Sequence, residues 1–327
     1  MDGIILSMIL PTYNVAEYIE ECIESCERQD IPHDSYEIVV VNDGSTDCTL
    51  DKVQTLSIKY SNIKIINQSN QGVSVARNNG FKEAQGKYIW FIDPDDKIST
   101  NCLSSLISIM ESKELEALVV APRIAAVLDF PPPTSGIHKE DFVSDVFSGV
   151  EFLLDETNCA VAPWCFVYLS SFWRDGRFSF IKGIRYEDSE LIPYVTSKVT
   201  RLAKLTQFSC YHYIQHKGSL MNSSVTKEKI LSLSVIVNTH MKYASETDVQ
   251  DLRLWFEKSA SSHFISGVKH ILKWNEIPNL ILSEFLNKIK ARPKRLYGAN
   301  VFQKAYQHIV LNYPQFYVRI HNLIYGK

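Results

Sequence analysis

Three carboxylates crowd the end of one apolar run in this 327-residue chain. The run over residues 88–92 leads directly into Asp93, Asp95 and Asp96, and Pro94 stands among them. Neighbouring carboxylates repel one another unless a cation or hydrogen-bond donors compensate their charge. Oxygen ligands of this kind suit Mg²⁺ or Mn²⁺, usually shared with substrate phosphates. The segment is therefore a candidate metal site, and an Asp-rich turn is the alternative.

Predicted strands that alternate with predicted helices position these carboxylates. Short apolar runs predict buried strands over residues 4–10, 38–41, 63–66, 88–92 and 117–121. Helical spacing predicts helices between them, over residues 15–26, 47–59, 73–84 and 101–110. This alternation indicates an α/β fold, Rossmann-like, with a mostly parallel central sheet flanked by helices. Ligands bind such sheets beyond the carboxyl ends of the strands, which is where the carboxylates fall.

The second part of the chain has a different pattern. Residues from Glu228 onward read as helices divided by Pro278, Pro293 and Pro314, which predicts a C-terminal helical extension. The Pro131–Gly136 stretch, which begins with three prolines, reads as a loop within the first domain. We therefore expect one domain over residues 1–225 and a helical region over residues 226–327.

Charge and cysteine usage narrow the class of protein. The formal net charge of −3 gives no overall basic signature of nucleic-acid binding. The seven cysteines are an odd number and include no CxxC pair. We therefore expect the protein to reside in the cytoplasm, where cysteines stay reduced. We expect no signal peptide and no membrane span, since no apolar run reaches about 18 residues.

Three further polar residues, Asn14, Asp43 and Arg77, follow predicted strands. Asn14 closes the segment Pro11-Thr12-Tyr13-Asn14 and is an N-cap candidate, with an acid at capping-box spacing. Asp43 ends the second strand, where its carboxylate either accepts a hydrogen bond from a base N–H or makes an Asx-turn. Arg77 lies about one turn into the third helix, either as a surface residue or as a cation beside a base or pyrophosphate.

Together and in this order, four segments resemble the family 2 glycosyltransferases of the GT-A fold. They are Pro11-Thr12-Tyr13-Asn14, Val41-Asn42-Asp43-Gly44-Ser45-Thr46-Asp47, Gly72-Val73-Ser74-Val75-Ala76-Arg77-Asn78 and Asp93-Pro94-Asp95-Asp96. The resemblance covers residues 4–125 strongly and continues more loosely to about residue 225. It divides the first domain into a nucleotide-sugar half, 1–125, and an acceptor half, 126–225.

The resemblance implies roles for individual residues. The uridine nucleotide would be contacted by Pro11, Thr12, Tyr13, Asp43, Asn70 and Arg77. Asp93 would hold the ribose, and Asp95, as the second Asp of a DxD motif, would bind Mn²⁺ or Mg²⁺ against the diphosphate. Asp96 would support the metal through water or orient the loop.

A later segment, residues 184–190, resembles the family's Glu-Asp motif. An inverting transfer needs a base that deprotonates the acceptor hydroxyl. By resemblance Asp188 is that base, and Glu187 holds the acceptor or the base. The alternative is a charged helix start, where acids are favoured.

Two segments depart from the family's usual text. Residues 211–222 lack its Arg-rich stretch, so His216 or His212 is a candidate metal ligand and Lys217 a candidate partner of the diphosphate. Phe166 stands where the family commonly has a Lys. Near it, Trp164 is a sugar-stacking platform on the acceptor side or a core residue.

The resemblance implies transfer of a hexose or N-acetylhexosamine from a UDP-sugar to a saccharide or lipid-linked saccharide in bacterial surface-polysaccharide synthesis. The alternatives are a sugar-nucleotide pyrophosphorylase, although a Gly-rich basic loop is absent after the first strand, and a non-catalytic nucleotide- or glycan-binding protein. No Asp or Glu follows Glu284, whereas eight Lys and Arg residues do. This basic region is either a solvated helix pair or a surface that docks on the anionic inner leaflet of the cell membrane.

Overall fold

The computed structural model describes residues 3–120, 143–155, 162–206, 209–214, 224–273, 278–297 and 300–325. The chain forms two compact units, and each takes two stretches of sequence. Unit 1 comprises Met1–Gly183 and Leu191–His216, and unit 2 comprises Ile184–Glu190 and Lys217–Lys327. The loop predicted at Pro131–Gly136 lies outside the described residues.

Unit 1 contains a mostly parallel sheet. Its strands are β1 (Leu6–Thr12), β2 (Tyr36–Asp43), β3 (Ile63–Gln68), β4 (Tyr88–Phe91), β6 (Ala117–Val119), β7 (Phe166–Leu169) and β8 (Leu202–Lys204). They lie in the order β3-β2-β1-β4-β7-β6-β8, and only β7 runs antiparallel to its neighbours. A separate ribbon pairs β5 (Lys97–Ile98) with β9 (Tyr211–His212). The predicted α/β class with a mostly parallel sheet is confirmed.

Helices flank this sheet. They are α1 (Ile19–Glu27), α2 (Thr49–Lys59), α3 (Val73–Glu83), α4 (Leu103–Ser112), α5 (Gly149–Leu154), α6 (Ser170–Asp175) and α7 (Glu187–Lys198), whose first turn belongs to unit 2. The buried side of α1 carries Ile19, Cys22, Ile23 and Cys26, as the 3.6-residue spacing predicts. The prediction of Asn14 as N-cap is wrong, because α1 begins at Ile19 and Asn14 has a left-handed φ of 49°.

The strand order creates a switch point between β1 and β4. The chain moves outward from β1 through β2 to β3 and then returns to the other side of β1 with β4. Ligands bind open α/β sheets at the carboxyl end of such a switch. Helix α3 packs tightly over β1 and β2, because a Cβ on Gly80 would lie 2.4 Å from Ile9 Cγ2. This close packing fixes α3 beside the carboxyl end of β1.

Unit 2 is helical, so the predicted C-terminal extension is confirmed. Its helices are α8 (Lys227–Glu246), α9 (Gln250–Lys273), α10 (Pro278–Lys288), α11 (Val301–Asn312) and α12 (Pro314–Tyr325). A separate apolar core joins them, built around Ile236, Phe264, Phe285, Val310 and Val318. Within the described part of the chain, no helix has the length and apolar character needed to cross a membrane.

Candidate functional site

Hydrogen bonds tie together the turns that follow β1 and β2. Asn14 Oδ1 accepts a hydrogen bond from Thr46 N at 2.8 Å, and Asn14 N donates to Ser45 Oγ at 3.1 Å. Val15 N donates to Thr49 Oγ1 at 2.9 Å. The two turns are therefore one connected structure, joined by hydrogen bonds of the left-handed Asn14 and of Val15.

Asp43 fixes the loop between β3 and α3. Its carboxylate is only 3% exposed. Oδ1 accepts hydrogen bonds from Gln68 Nε2 at 2.7 Å and from Gln71 N at 2.8 Å, and Oδ2 accepts one from Gly72 N at 2.8 Å. These bonds cross to a neighbouring turn, so they are not a local Asx-turn. The carboxylate therefore shapes the start of α3.

The backbone of the exposed Asn70, in the β3–α3 loop, lies close to the backbone of Gly44, in the turn after β2. Gly44 has a φ of +70°, and a Cβ there would lie 2.8 Å from Asn70 N. A side chain at position 44 would therefore collide with the β3–α3 loop as well as strain the backbone. The glycine allows the turns after β2 and β3 to meet.

The segment Pro11–Asn14 passes from buried residues at the end of β1 to exposed residues after it. Pro11 and Thr12 are buried, and Thr12 Oγ1 donates to Leu10 O at 3.0 Å. Tyr13 is 46% exposed. Of the predicted nucleotide contacts in this segment, Tyr13 has the ring that faces outward, while Thr12 shapes the strand end.

Arg77 and Asp93 form an ion pair at the switch point. Arg77 Nη2 donates to Asp93 Oδ1 at 2.8 Å, and the side chain of Asp93 remains 28% exposed. The guanidinium of Arg77 lies 5.3 Å from the ring centroid of Phe180. Asn78 holds the backbone of Phe180 through two reciprocal hydrogen bonds of 2.9 Å. The buried cation is thus held from two sides, and it lies beside a carboxylate that still reaches solvent.

Asp96 points away from solvent and holds the next segment of the chain. It is 1% exposed; Oδ2 accepts a hydrogen bond from Tyr211 OH at 2.6 Å and Oδ1 accepts one from Ile214 N at 2.7 Å. Burial, followed by the charge of Asp93, raises the pKa of Asp96 to about 8. Of the two roles implied for Asp96, these contacts match the one that orients the loop.

The carboxylates after β4 fit a divalent cation shared with another ligand. Asp93 and Asp95 are partly exposed in one turn, and both charges raise the pKa of the buried Asp96, so the turn carries excess negative charge. Across the described ranges, no three His, Cys, Asp or Glu residues gather as a complete metal cage. Mg²⁺ and Mn²⁺ accept one or two carboxylates, with water and phosphate oxygens completing the shell.

His212 has a structural partner in the ribbon of unit 1. It lies on β9 opposite Lys97 of β5, and its Nε2 is 2.8 Å from Ser99 Oγ. Burial lowers the pKa of the imidazole. Two other predicted site residues, His216 and Lys217, lie outside the described residues.

Trp164 lies in the core. Its ring stacks on Tyr211 with centroids 4.5 Å apart, and its carbonyl accepts a hydrogen bond from Trp90 Nε1 at 2.9 Å. Since Tyr211 OH also bonds Asp96, this aromatic stack supports the carboxylate turn from behind. The contacts match the core role of Trp164 rather than a sugar-stacking platform.

The Glu187–Asp188 pair opens α7 in the part of the chain that belongs to unit 2. Both side chains are partly exposed, and Ser189 N donates to Asp188 Oδ1 at 2.6 Å. Tyr186 precedes the helix with a left-handed φ of 62°. Burial, followed by the charge of Asp188, raises the pKa of Tyr186. The two acids therefore sit on a sharply turned helix start.

Sequence reasoning gave no role to Glu190. This acid is 1% exposed, and its Oε1 accepts a hydrogen bond from Tyr243 OH at 2.9 Å. Burial raises the pKa of Glu190. The partner lies 53 residues later in the chain, so no spacing rule could have indicated the contact.

A switch-point crevice lined by carboxylates and a buried arginine defines an α/β protein suited to a phosphorylated ligand. Residues 7–169 match the model of the Glycosyl transferase family 2, and the chain belongs to this family. The expected family and the GT-A fold are thereby confirmed.

Relatives in bacteria support this placement. The "Uncharacterized glycosyltransferase EpsJ" of Bacillus subtilis is 39% identical over 112 residues, which cover 34% of this chain and 32% of EpsJ. The "Poly(ribitol-phosphate) beta-N-acetylglucosaminyltransferase TarS" of Staphylococcus aureus is 34% identical over 299 residues, which cover 88% of this chain and 50% of TarS. The chain thus spans half or less of the length of these two relatives.

Solved structures share the fold. Residues 1–349 of S. aureus TarS in complex with UDP-GlcNAc match with a TM-score of 0.69 at 19% identity, covering 99% of this chain and 93% of that one. The mannosyltransferase PcManGT of Pyrobaculum calidifontis, in complex with GDP-Man and Mn²⁺, matches with a TM-score of 0.54 at 13% identity. It covers 97% of this chain and 86% of that one.

Proposed function

We propose that this protein is an inverting glycosyltransferase that moves a hexose or N-acetylhexosamine from a UDP-sugar to a saccharide or lipid-linked saccharide in surface glycan synthesis. The observation that carries the proposal is the Arg77–Asp93 pair at the switch point, directly before Asp95. Membership of the Glycosyl transferase family 2 supports the reaction class. The UDP-GlcNAc bound by TarS, a relative 34% identical over 299 residues, supports a uridine nucleotide as donor.

The donor half of the proposal rests on the connected turns. The exposed ring of Tyr13 is the proposed platform for the base, with Asn70 and the loop held by Asp43 beside it. The solvent-facing part of the Asp93 carboxylate is the proposed acceptor for a ribose hydroxyl, while Arg77 orients that carboxylate through its hydrogen bond to Oδ1.

Asp95 would hold Mn²⁺ or Mg²⁺ beside the diphosphate. When bound, the ion supplies positive charge that stabilises the leaving diphosphate. Asp96 orients the turn that carries Asp95 through its bonds to Tyr211 and Ile214.

Asp188 is the proposed base of the transfer. It takes the proton of the acceptor hydroxyl as the oxygen attacks the anomeric carbon, and the carbon–oxygen bond to the diphosphate breaks on the opposite face. The electron pair of that bond leaves with the diphosphate, and the anomeric configuration is inverted. Glu187, its neighbour at the helix start, is proposed to orient the acceptor or the base.

Calorimetric titration tests the donor assignment. We expect UDP, but not GDP or CDP, to bind, and we expect EDTA to weaken UDP binding relative to Mn²⁺. Asp95→Asn should bind UDP in Mn²⁺ no better than wild type does in EDTA, because the substitution removes a carboxylate ligand. Glu83→Gln changes an exposed acid paired with Lys64 and should behave as wild type. Equal binding of all three nucleotides, or none, would overturn the uridine pocket.

The basic C-terminal region has exposed apolar side chains. Phe302, Tyr313 and Phe316 of the α11–α12 region are largely exposed, and Lys304 and Arg319 lie on the same two helices. Aromatic and basic side chains together favour an anionic membrane surface, where each basic residue adds about 1 kcal/mol of binding free energy. We propose that this surface docks the protein peripherally on the cytoplasmic face of the cell membrane.

Vesicle flotation tests the docking. We expect the protein to float with vesicles that contain phosphatidylglycerol and not with pure phosphatidylcholine. Phe302→Ser combined with Phe316→Ser should abolish flotation, whereas Ile58→Ser, which alters an exposed apolar residue of α2, should leave it intact. A protein that floats with neither kind of vesicle would refute the membrane role.

A further inference from the structure

The segment that carries Glu187 and Asp188 is anchored to the helices of unit 2. Residues Ile184–Glu190 group with the C-terminal helices rather than with the sheet. Arg185 N donates to Ser232 Oγ of α8 at 2.9 Å, and Tyr186 packs against the apolar core of this unit. One anchor therefore precedes the acidic pair.

A second anchor follows the acidic pair. The carboxylate of Glu190, 1% exposed, accepts the hydrogen bond from Tyr243 OH at 2.9 Å. The ring of Tyr243 is itself packed against two others. It lies edge-on to the ring of Phe256, with centroids 5.6 Å apart, and its centroid is 6.1 Å from that of the His240 ring. Both anchoring side chains, Ser232 and Tyr243, belong to α8. The residues that they hold, Arg185 and Glu190, lie on either side of Glu187 and Asp188 in the sequence.

The first turn of α7 is closed by a backbone hydrogen bond between Glu190 and Tyr186, both of which also contact the helices of unit 2. Glu190 N donates to Tyr186 O at 3.2 Å, which closes the turn on a residue with a left-handed φ of 62°. A non-glycine residue in this conformation is maintained by its surroundings. Loss of the bond to Tyr243 would leave the carboxylate of Glu190 buried with one fewer donor and would loosen the turn.

We propose that Tyr243 and Glu190 are positioning residues, which hold the first turn of α7 so that Asp188 keeps the orientation needed for proton removal. The inference rests on the proposed function, because it assigns the orientation of the proposed base to the helical unit. It gives unit 2 a part in the reaction that is separate from membrane docking.

The bond between Tyr243 and Glu190 requires an acceptor oxygen at position 190, not a charge. A tyrosine hydroxyl can also donate to the oxygen of an amide. We therefore expect Glu190→Gln to keep the anchor and Glu190→Ala and Tyr243→Phe to lose it. Tyr60→Phe is the matched control, since Tyr60 OH donates a bond of the same length, 2.9 Å, to Glu24 Oε2 in unit 1.

The experiment combines UDP release from UDP-GlcNAc with amide hydrogen exchange. We expect Tyr243→Phe and Glu190→Ala to lower kcat roughly tenfold while KM for UDP-GlcNAc stays within about twofold of wild type. Amides of residues 184–190 should exchange faster in these variants, and those of β1 to β4 should not change. Glu190→Gln and Tyr60→Phe should match wild type in kcat and in the exchange of residues 184–190.

The outcomes separate this inference from the proposed function. A wild type that releases no UDP from any UDP-sugar contradicts the proposed function, and hydrogen exchange then still decides whether Tyr243 anchors the turn. An active wild type with unchanged kcat or unchanged exchange in Tyr243→Phe overturns the positioning role. Faster exchange throughout unit 2 would show a general stabilising role and would also overturn it.

Discussion

Asp188→Asn is expected to remove nearly all sugar transfer and to leave nucleotide binding unchanged. General-base catalysis by a positioned carboxylate contributes about 10²–10⁴-fold in rate, and an amide cannot take the acceptor proton. The amide oxygen can still accept the hydrogen bond that Ser189 N donates to Asp188 Oδ1 at 2.6 Å, so the helix start should keep its shape. The measurements are kcat for UDP release from UDP-GlcNAc and the affinity for UDP by calorimetry.

Asp251→Asn provides the control for this change. Asp251 is an exposed acid in the first turn of α9, so the substitution removes the same charge from a comparable helix start in the same unit. It should leave kcat as in wild type. An Asp188→Asn variant with wild-type kcat would exclude Asp188 as the base. UDP binding without UDP release in the wild type would favour the alternative of a non-catalytic binding protein.

The strands around the switch point could be predicted because parallel strands covered on both faces are continuous apolar runs. The run at residues 63–66 became β3, Ile63–Gln68, and the run at 88–92 became β4, Tyr88–Phe91. The strand ends were harder to predict. Strand β2 continues through Asn42 and Asp43, two buried polar residues whose hydrogen-bond partners make their burial possible.

The antiparallel strand β7 could not be placed from sequence. Its residues Phe166–Leu169 are apolar, but nothing local shows that they insert between β4 and β6. Strand pairing depends on contacts between distant segments, and short apolar runs fit either a strand or a buried helix. The sequence therefore assigns no element to this region, and a core role is predicted only as one of two alternatives for Trp164.

For the candidate site, motif order indicated which residues matter, and tertiary contacts determined what each one touches. Arg77 was expected beside a base or pyrophosphate, and it is paired with Asp93. Asp96 was grouped with its exposed neighbours, but it is buried against Tyr211, 115 residues later in the chain. Hydrogen-bond partners at such separations have no signature in local spacing.

The buried Asp96 should make metal-free protein less stable as the pH rises. The pKa of Asp96 is about 8 in the folded protein, whereas an aspartate in an unfolded chain has a pKa of 3.8. Between these values the unfolded chain has lost the proton that the folded protein retains, so raising the pH favours unfolding. The free energy of unfolding attributable to this group should fall by about 1.4 kcal/mol per pH unit within that window. Urea unfolding in EDTA from pH 5 to 7.5 measures this slope.

Asp96→Asn should remove this slope, because an amide does not titrate and can still accept a hydrogen bond from Ile214 N. The comparison between wild type and variant cancels other titrating groups, including Glu190 and Glu27, whose pKa values burial also raises. Asp34→Asn, in an exposed turn before β2, should keep the wild-type slope. Identical pH slopes for wild type and Asp96→Asn would mean that Asp96 is already ionised in the folded protein. The turn after β4 would then hold three carboxylate charges against the single positive charge of Arg77, which would strengthen the case for a metal at Asp95.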